Sequence, residues 1–323
     1  KYHMKILAIQ NRMGIGDTVI FLPFIKALSK KYNSPISLLV KESSKADQYL
    51  SETNYIDKII ILERDQKNND RHGGFWGSLN LIKDLRSHNF DKIFIFNSSL
   101  RFNLIAKFSK ITEIYQYPLF NKHKQHIVNT PKKFMKDKIN IDFFDDPEIH
   151  IDNDLVKNAS KKFLIDKEDT NILLGIGGSG PTKRIPAYIF LKFMSELIKK
   201  KRCKFFLATG KNIDEQKILN EILESELKNF CIPLDNLSIK EILPIIKNCD
   251  ISVCNDTSFS HLSAALGIET ITLMADTPLI YGNYSSKMKP IIPDGETYVS
   301  HNTKGKDRIN PEKILSKIIE IIN

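Results

Sequence analysis

Three short stretches of the chain place carboxylates, hydroxyls and cations beside glycines. The first is GIGDTVIFLP, Gly14 to Pro23. Two glycines after an apolar run permit a tight turn, and Asp17 stands where a helix N-cap would stand. Asp17 has two compatible readings. It caps the residues from Thr18 onward, or, at the carboxyl end of a parallel strand where such sheets bind ligands, it accepts a proton from a substrate hydroxyl.

The second stretch is GIGGSGPTKRIP, Gly175 to Pro186. Gly175, Gly177 and Gly180 spell G-x-G-x-x-G, which alone suggests a dinucleotide loop. No acidic residue ends the next strand, CKFFLATG, and Pro181 occupies the place of a P-loop lysine, so nicotinamide and Walker-type readings fit poorly. Backbone N–H groups around Gly178, the hydroxyls of Ser179 and Thr182, and the cations of Lys183 and Arg184 suit a phosphate. The plainer alternative is a glycine-rich turn with incidental surface cations.

The third stretch, NDTSFSHLSAALG, runs from Asn255 to Gly267. Asp256, Thr257 and Ser258 sit between an apolar strand, DISVC, and a short helix that Gly267 ends. Unpaired N–H groups at that helix start offer partial positive charge to a diphosphate, while Asp256 can accept hydrogen bonds from sugar hydroxyls. The alternative makes Asp256 or Thr257 a plain cap. For His261 a satisfied core histidine is the simpler reading.

The elements that must position these residues alternate. Apolar runs at 5–10, 35–40, 58–62 and 92–96 are separated by helical periodicity at 18–32 and 77–89, which predicts parallel strands in an α/β fold. The pattern fades from about residue 117 to 150, where NKHKQHIVNTPKKFMKDKIN carries six lysines and reads as loop plus linker. It restarts at 171 with strands at 171–177, 203–210 and 250–256 and helices at 186–201, 214–225 and 238–249. This predicts two Rossmann-like domains, 1–155 and 156–309, and NPEKILSKIIEIIN forms an amphipathic helix over 310–323.

At 323 residues, the length also favours two domains. The net charge is +10 and uneven: residues 1–150 hold 24 Lys and Arg against 16 Asp and Glu, a net +8, and the remainder nets +2. Such a field favours an anionic partner. No apolar run approaches the roughly 20 residues of a bilayer span. KYHM followed by a strand-length KILAI lacks a secretory signal, so a cytoplasmic location is expected, with Met4 as the native start. The four cysteines show no CxxC pair or zinc-ligand spacing and are expected as buried, reduced thiols; no metal or other cofactor is expected.

Taken together these residues resemble glycosyltransferase family 9, the bacterial heptosyltransferases of the lipopolysaccharide inner core. The resemblance rests on GIGDTVIFLP, TKRIP, LSIKEILPII and NDTSFSHLSAALG, in that order over nearly the whole chain. It implies a GT-B architecture, with the active site between two Rossmann-like domains and a C-terminal helix (310–323) returning to the first. It implies metal-independent, inverting transfer from an ADP-heptose donor to an anionic glycolipid or saccharide acceptor. By position Asp17 matches the family's general base and Lys183 its diphosphate lysine. Gly178, Ser179 and Thr182 would line the phosphates, Glu215 would hold the ribose and Leu237 would lie against adenine. Asp256, Thr257, Ser258 and His261 would line the phosphate and sugar pocket. Ser258 stands where the family has Gly, and Ile185 where it has an aromatic, so another nucleotide sugar or a non-lipid acceptor is the nearest alternative. Arg64, Arg71, Arg101 and the cations of Lys122 to Lys138 are the acceptor candidates, with solvated surface charge as the alternative for each. Peripheral association with the anionic inner face of the cytoplasmic membrane follows from such an acceptor. A nicotinamide oxidoreductase using the Gly175 loop, or a basic nucleic-acid module using residues 121–138, are the rivals; the second lacks aromatic interleaving, and no nucleic-acid partner is expected.

Overall fold

The computed structural model describes residues 3–64, 70–120 and 125–323, so Lys122 and Lys124 lie outside the described residues. The chain divides into two units, Lys1–His150 and Ile151–Asn323.

In the first unit the strands are β1 (Ile6–Ile9), β2 (Ile36–Lys41), β3 (Ile56–Leu62), β4 (Lys92–Ile95) and β5 (Glu113–Gln116). The helices are α1 (Ile15–Tyr32), α2 (Ala46–Tyr49), α3 (Gly74–His88), α4 (Leu100–Phe108) and α5 (Asn129–Ile139). The sheet is parallel, in the order β3-β2-β1-β4-β5. Every residue of β1 and β4 is buried, because helices cover both faces, and this is why β1 and the part of β4 after Lys92 read as apolar runs. On one face Leu7, Ile9, Ile93 and Ile95 pack with Leu81 and Leu85 of α3 and with Phe102 and Ile105 of α4. On the other, Phe96 meets Phe21 of α1 and Phe134 of α5 edge to face, each pair with centroids 5.5 Å apart.

The helix α5 corrects the expectation of loop plus linker over 121–138. Pro131, Phe134, Met135 and Ile139 are its buried side, and its lysines occupy the opposite side, where their density hid the apolar spacing.

In the second unit the strands are β6 (Thr170–Gly175), β7 (Cys203–Ala208), β8 (Cys231–Pro233), β9 (Ile251–Asn255), β10 (Thr270–Leu273) and β11 (Met288–Ile291). The helices are α6 (Asn153–Lys162), α7 (Ala187–Ile198), α8 (Ile213–Leu223), α9 (Ile239–Lys247), α10 (Ser258–Ala265), α11 (Ile280–Asn283) and α12 (Pro311–Ile322). The order is β11-β10-β9-β6-β7-β8, all parallel. Both sheets reverse direction once, between β1 and β4 and between β6 and β9. At such a reversal the loops leave the strand ends in opposite directions and open a crevice.

The C-terminal helix α12 contributes its apolar stripe to the core of the second unit. Ile314 and Ile318 of α12 are fully buried in one core with Phe190 and Leu197 of α7 and with Val253 and Ile271 of β9 and β10. An amphipathic stripe dictates that a face be covered without naming the surface, and here it completes the second unit's own core. Among the described residues no helix is long and apolar enough to cross a membrane.

Candidate active site

In the first unit the crevice-side loop follows β1. The backbone turns at Gly14, whose φ of 95° lies in the left-handed region, and α1 starts at Ile15. Asp17 therefore lies in the first turn of α1, and the capping role is corrected: the N-cap position belongs to Gly14, and Asp17 gains from the positive end of the helix. The loop is held by an Asn97 to Asn11 side-chain bond of 3.3 Å and by Arg12, whose guanidinium donates to the Gln125 carbonyl at 3.1 Å. Partial burial raises the Asp17 carboxyl above the ordinary aspartate value, with the Arg12 guanidinium acting in the opposite sense. Arg12 carries no motif signal, and only its neighbourhood in the folded loop brings it into view.

The acceptor candidates gather near the ends of β3 and β4. Arg71 grips Asp84 with two bonds of 2.8 and 2.7 Å, and Asp84 also bonds the buried His72 at 2.9 Å. Arg101 donates to the Ser78 hydroxyl at 2.9 Å and to the His72 carbonyl. Arg64 follows β3 directly, its backbone N–H bonded to the Leu62 carbonyl at 2.9 Å. Arg71 and Arg101 thus hold the segment that leads into α3. The helical lysines Lys132, Lys133, Lys136 and Lys138 belong to α5, and Lys133 pairs with Asp137 at 2.6 Å.

In the second unit the β6 and β9 loops meet. Asn255, fully buried at the end of β9, donates its amide to the Gly177 carbonyl at 3.0 Å. The Lys183 ammonium lies 3.0 Å from the Asp256 carboxylate, although 73 positions separate them. The other oxygen of Asp256 is 3.9 Å from His261 Nε2. His261 Nδ1 bonds the Tyr284 hydroxyl at 2.5 Å, and the two rings stack. Burial lowers His261 to a pKa of about 4, with Asp256 acting to raise it and Lys183 to lower it, so the imidazole is neutral near pH 7. The structure thus joins the core reading of His261 to contact with the site.

Thr257 caps α10, its hydroxyl accepting the Phe259 N–H, and Ser258 is the first helical residue. Gly178 lies against this start: a Cβ there would sit 3.8 Å from the Thr257 methyl and 3.7 Å from Lys183 Cβ. Gly178, Lys183, Asp256, Thr257, Ser258 and His261 are therefore brought into one cradle. Arg184 and Glu215 brace it. Arg184 donates to the Gly178 carbonyl at 2.8 Å, and Glu215 Oε1 accepts the Gly178 N–H at 2.7 Å while Oε2 accepts the Asn212 amide at 2.5 Å. Glu215, expected at a ribose, has both oxygens engaged inside the loop. Thr182 bonds Asp276, and Ser179 is exposed at the loop tip. Leu237, half-buried just before α9, belongs to the neighbouring β8 loop, where Asn236 takes a 2.9 Å bond from Lys211.

The model of glycosyltransferase family 9 (heptosyltransferase) matches residues 78–311. The chain belongs to glycosyltransferase family 9. It is 24% identical to lipopolysaccharide heptosyltransferase 1 of Campylobacter coli over 98% of this chain and 99% of that protein. Its fold is similar to a family 9 glycosyltransferase of Veillonella parvula (TM-score 0.78, 17% identity, 100% and 98% covered). It is similar also to the ADP-heptose lps heptosyltransferase II of E. coli (TM-score 0.73, 19% identity, 99% and 98% covered). This family 9 chain is thus a glycosyltransferase of GT-B architecture. In this family 9 glycosyltransferase the β6–β9 cradle presents one ammonium, a helix start and one carboxylate, groups that suit an anion and hydroxyls respectively. Among the described residues no cluster of three or more His, Cys, Asp or Glu is arranged to hold a metal ion.

Proposed function

We propose that the protein transfers a heptose from an ADP-heptose donor to an anionic acceptor of the lipopolysaccharide inner-core type, with inversion and without a metal ion. The observation that carries the reading is the juxtaposition of Lys183, the Gly178 loop and the start of α10. Lys183 and the α10 start are sources of positive potential beside that loop, the provision a departing diphosphate requires. The E. coli relative's description names ADP-heptose, which favours that donor over other nucleotide sugars.

In this reading the Asp17 carboxylate takes the proton of an acceptor hydroxyl as its oxygen attacks the anomeric carbon. The bond from that carbon to the ADP oxygen breaks on the opposite face, so configuration inverts in one displacement. ADP leaves with the bonding electron pair, and its growing charge is met by Lys183, by the Ser179 amide at the loop tip and by the α10 start, in place of a metal. Asp256, with neutral His261 behind it, accepts bonds from sugar hydroxyls, and Ser258 adds a hydroxyl beside them. Thr182 and Glu215 hold the loop on the nucleotide side, and Leu237 offers an apolar contact to the base. The basic first unit, with Arg64, Arg71 and Arg101 near its strand ends, draws the anionic acceptor, whose lipid places the reaction at an anionic cytoplasmic membrane surface.

The test is a thermal-shift panel of ADP-, UDP-, GDP- and CMP-sugars with NAD(H) as control. A ligand bound only by the folded protein at a hundredfold its Kd stabilises it by about 2.7 kcal/mol. ADP-heptose alone is expected to raise the melting point, and transfer is expected to survive EDTA. A shift from UDP-sugars or NAD(H) alone would overturn the donor, and loss of transfer in EDTA would overturn the charge scheme.

A further inference from the structure

We infer that the outer face of α3 and α4 docks the protein on an anionic lipid bilayer. The inference rests on the proposed lipid-borne acceptor for its purpose, but not for its evidence. The two helices lie side by side in parallel, joined near their starts by Arg101 to Ser78 at 2.9 Å and near their ends by Arg86 to the Phe108 carbonyl at 2.8 Å. Their inner rows, Leu81 and Leu85 with Phe102 and Ile105, fill the sheet core. Their outer rows would ordinarily be polar throughout, yet they also carry large exposed apolar side chains. Phe75 is 73% and Trp76 75% exposed, packed edge to face at the start of α3. On α4, Leu100, Leu104 and Phe108 are exposed at i, i+4 and i+8, which is one stripe along the helix.

Isolated exposed apolar residues need no explanation, but a contiguous set on adjacent helices marks a contact surface. Its charge selects the partner. Lys83, Arg86 and Lys107 are exposed on the same two helices, and Lys110 follows α4. The sole acid on either helix, Asp84, is engaged by Arg71 and His72. Aromatic rings among uncompensated cations suit the headgroup layer of an anionic membrane, where tryptophan settles and each basic residue is worth roughly fivefold in partition. A protein partner is the weaker match, because lysine is depleted in protein interfaces.

The test uses a convenience of this chain: Trp76 is its single tryptophan. Full-length protein is titrated with vesicles of phosphatidylglycerol and phosphatidylcholine, and separately with phosphatidylcholine alone, without donor or acceptor, so that the outcome is independent of the nucleotide-sugar reading. A blue shift of emission and quenching by brominated acyl chains are expected with the anionic vesicles only. Lys83→Glu with Lys107→Glu should weaken partition at least tenfold, with the melting point unchanged. Phe75→Ser should weaken binding while leaving the reporter in place. Unshifted emission, an equal response to both vesicles, or double-variant binding like the parent would overturn the inference. So would a blue shift without vesicles that tracks dimer formation in light scattering, which would assign the face to self-association.

Discussion

In the first unit the loop after β1 turns on Gly14, whose φ of 95° suits glycine and whose missing Cβ would meet nothing within 4 Å. In the second unit the loop after β6 leaves from Gly175, which is not left-handed; a Cβ there would come within 2.9 Å of Cys254 Cβ on the paired strand. One glycine is present for its backbone angle and the other for the space it leaves. The consequences differ in the same way. The angular turn starts a long helix at once and leaves Asp17 half-buried in its first turn with a raised proton affinity. The packed loop is pinned by Asn255, Arg184 and Glu215, so that its amides keep a fixed direction. A carboxylate that must take a proton gains from incomplete solvation, whereas an anion cradle gains from rigidity.

The largest expected effect lies on the catalytic side of this contrast. Asp17→Asn should lower turnover by about 10² to 10⁴ with donor affinity and melting point unchanged, measured by initial rates and thermal shift. In the parent, the rate should rise with pH through the Asp17 pKa, above the ordinary aspartate range, and the variant should lack that limb. Lys183→Ala should lower turnover by about 10² to 10³ and also weaken donor binding, since it removes a charge from the cradle. If the two variants behaved alike in donor binding, the division of labour between the loops would fail.

Stability should separate the two glycines next. Gly175→Ala must push apart β6 and β9 and is expected to cost about 1 to 3 kcal/mol by overpacking. Gly14→Ala meets no atom and should cost about 1 to 2 kcal/mol through backbone strain alone. Denaturant unfolding resolves both. A neutral Gly175→Ala would contradict the close approach of the two strands.

Much of this organisation is legible in the sequence. The runs that form β1, β2, β4, β6 and β9 are mainly apolar because both faces of a parallel strand are covered, and the residues after β1, β6 and β9 announce their chemistry by type. The strands β5 (EIYQ), β8 (CIP), β10 (TITL) and β11 (MKPI) mix charged, amide or hydroxyl residues or proline into three or four positions, so no apolar run marks them. The bond between Lys183 and Asp256 is a product of strand order, which no local pattern encodes. Likewise Arg71 looks available in the sequence, and only the fold reveals Asp84 opposite it.

The smallest expected effect concerns His261. Its folded pKa of about 4 lies below the ordinary 6.5 of an unfolded chain, so between those values the unfolded state binds the extra proton and stability falls as pH falls. Between pH 7 and pH 5.5 the loss should be about 1 kcal/mol, and His261→Asn should remove that part of the slope in melting-point profiles. An unchanged slope would show the imidazole to be far less enclosed than its contacts with Tyr284 and Asp256 imply.

The seating of α12 bears on how the polypeptide matures during synthesis. The first unit has every residue of its core in hand once position 150 has left the ribosome, and it can fold while the remainder is still being made. The second unit must wait for Ile318, so Phe190 and Leu197 stay uncovered through most of its translation. Nascent-chain aggregation and chaperone demand should therefore fall on that half of the message.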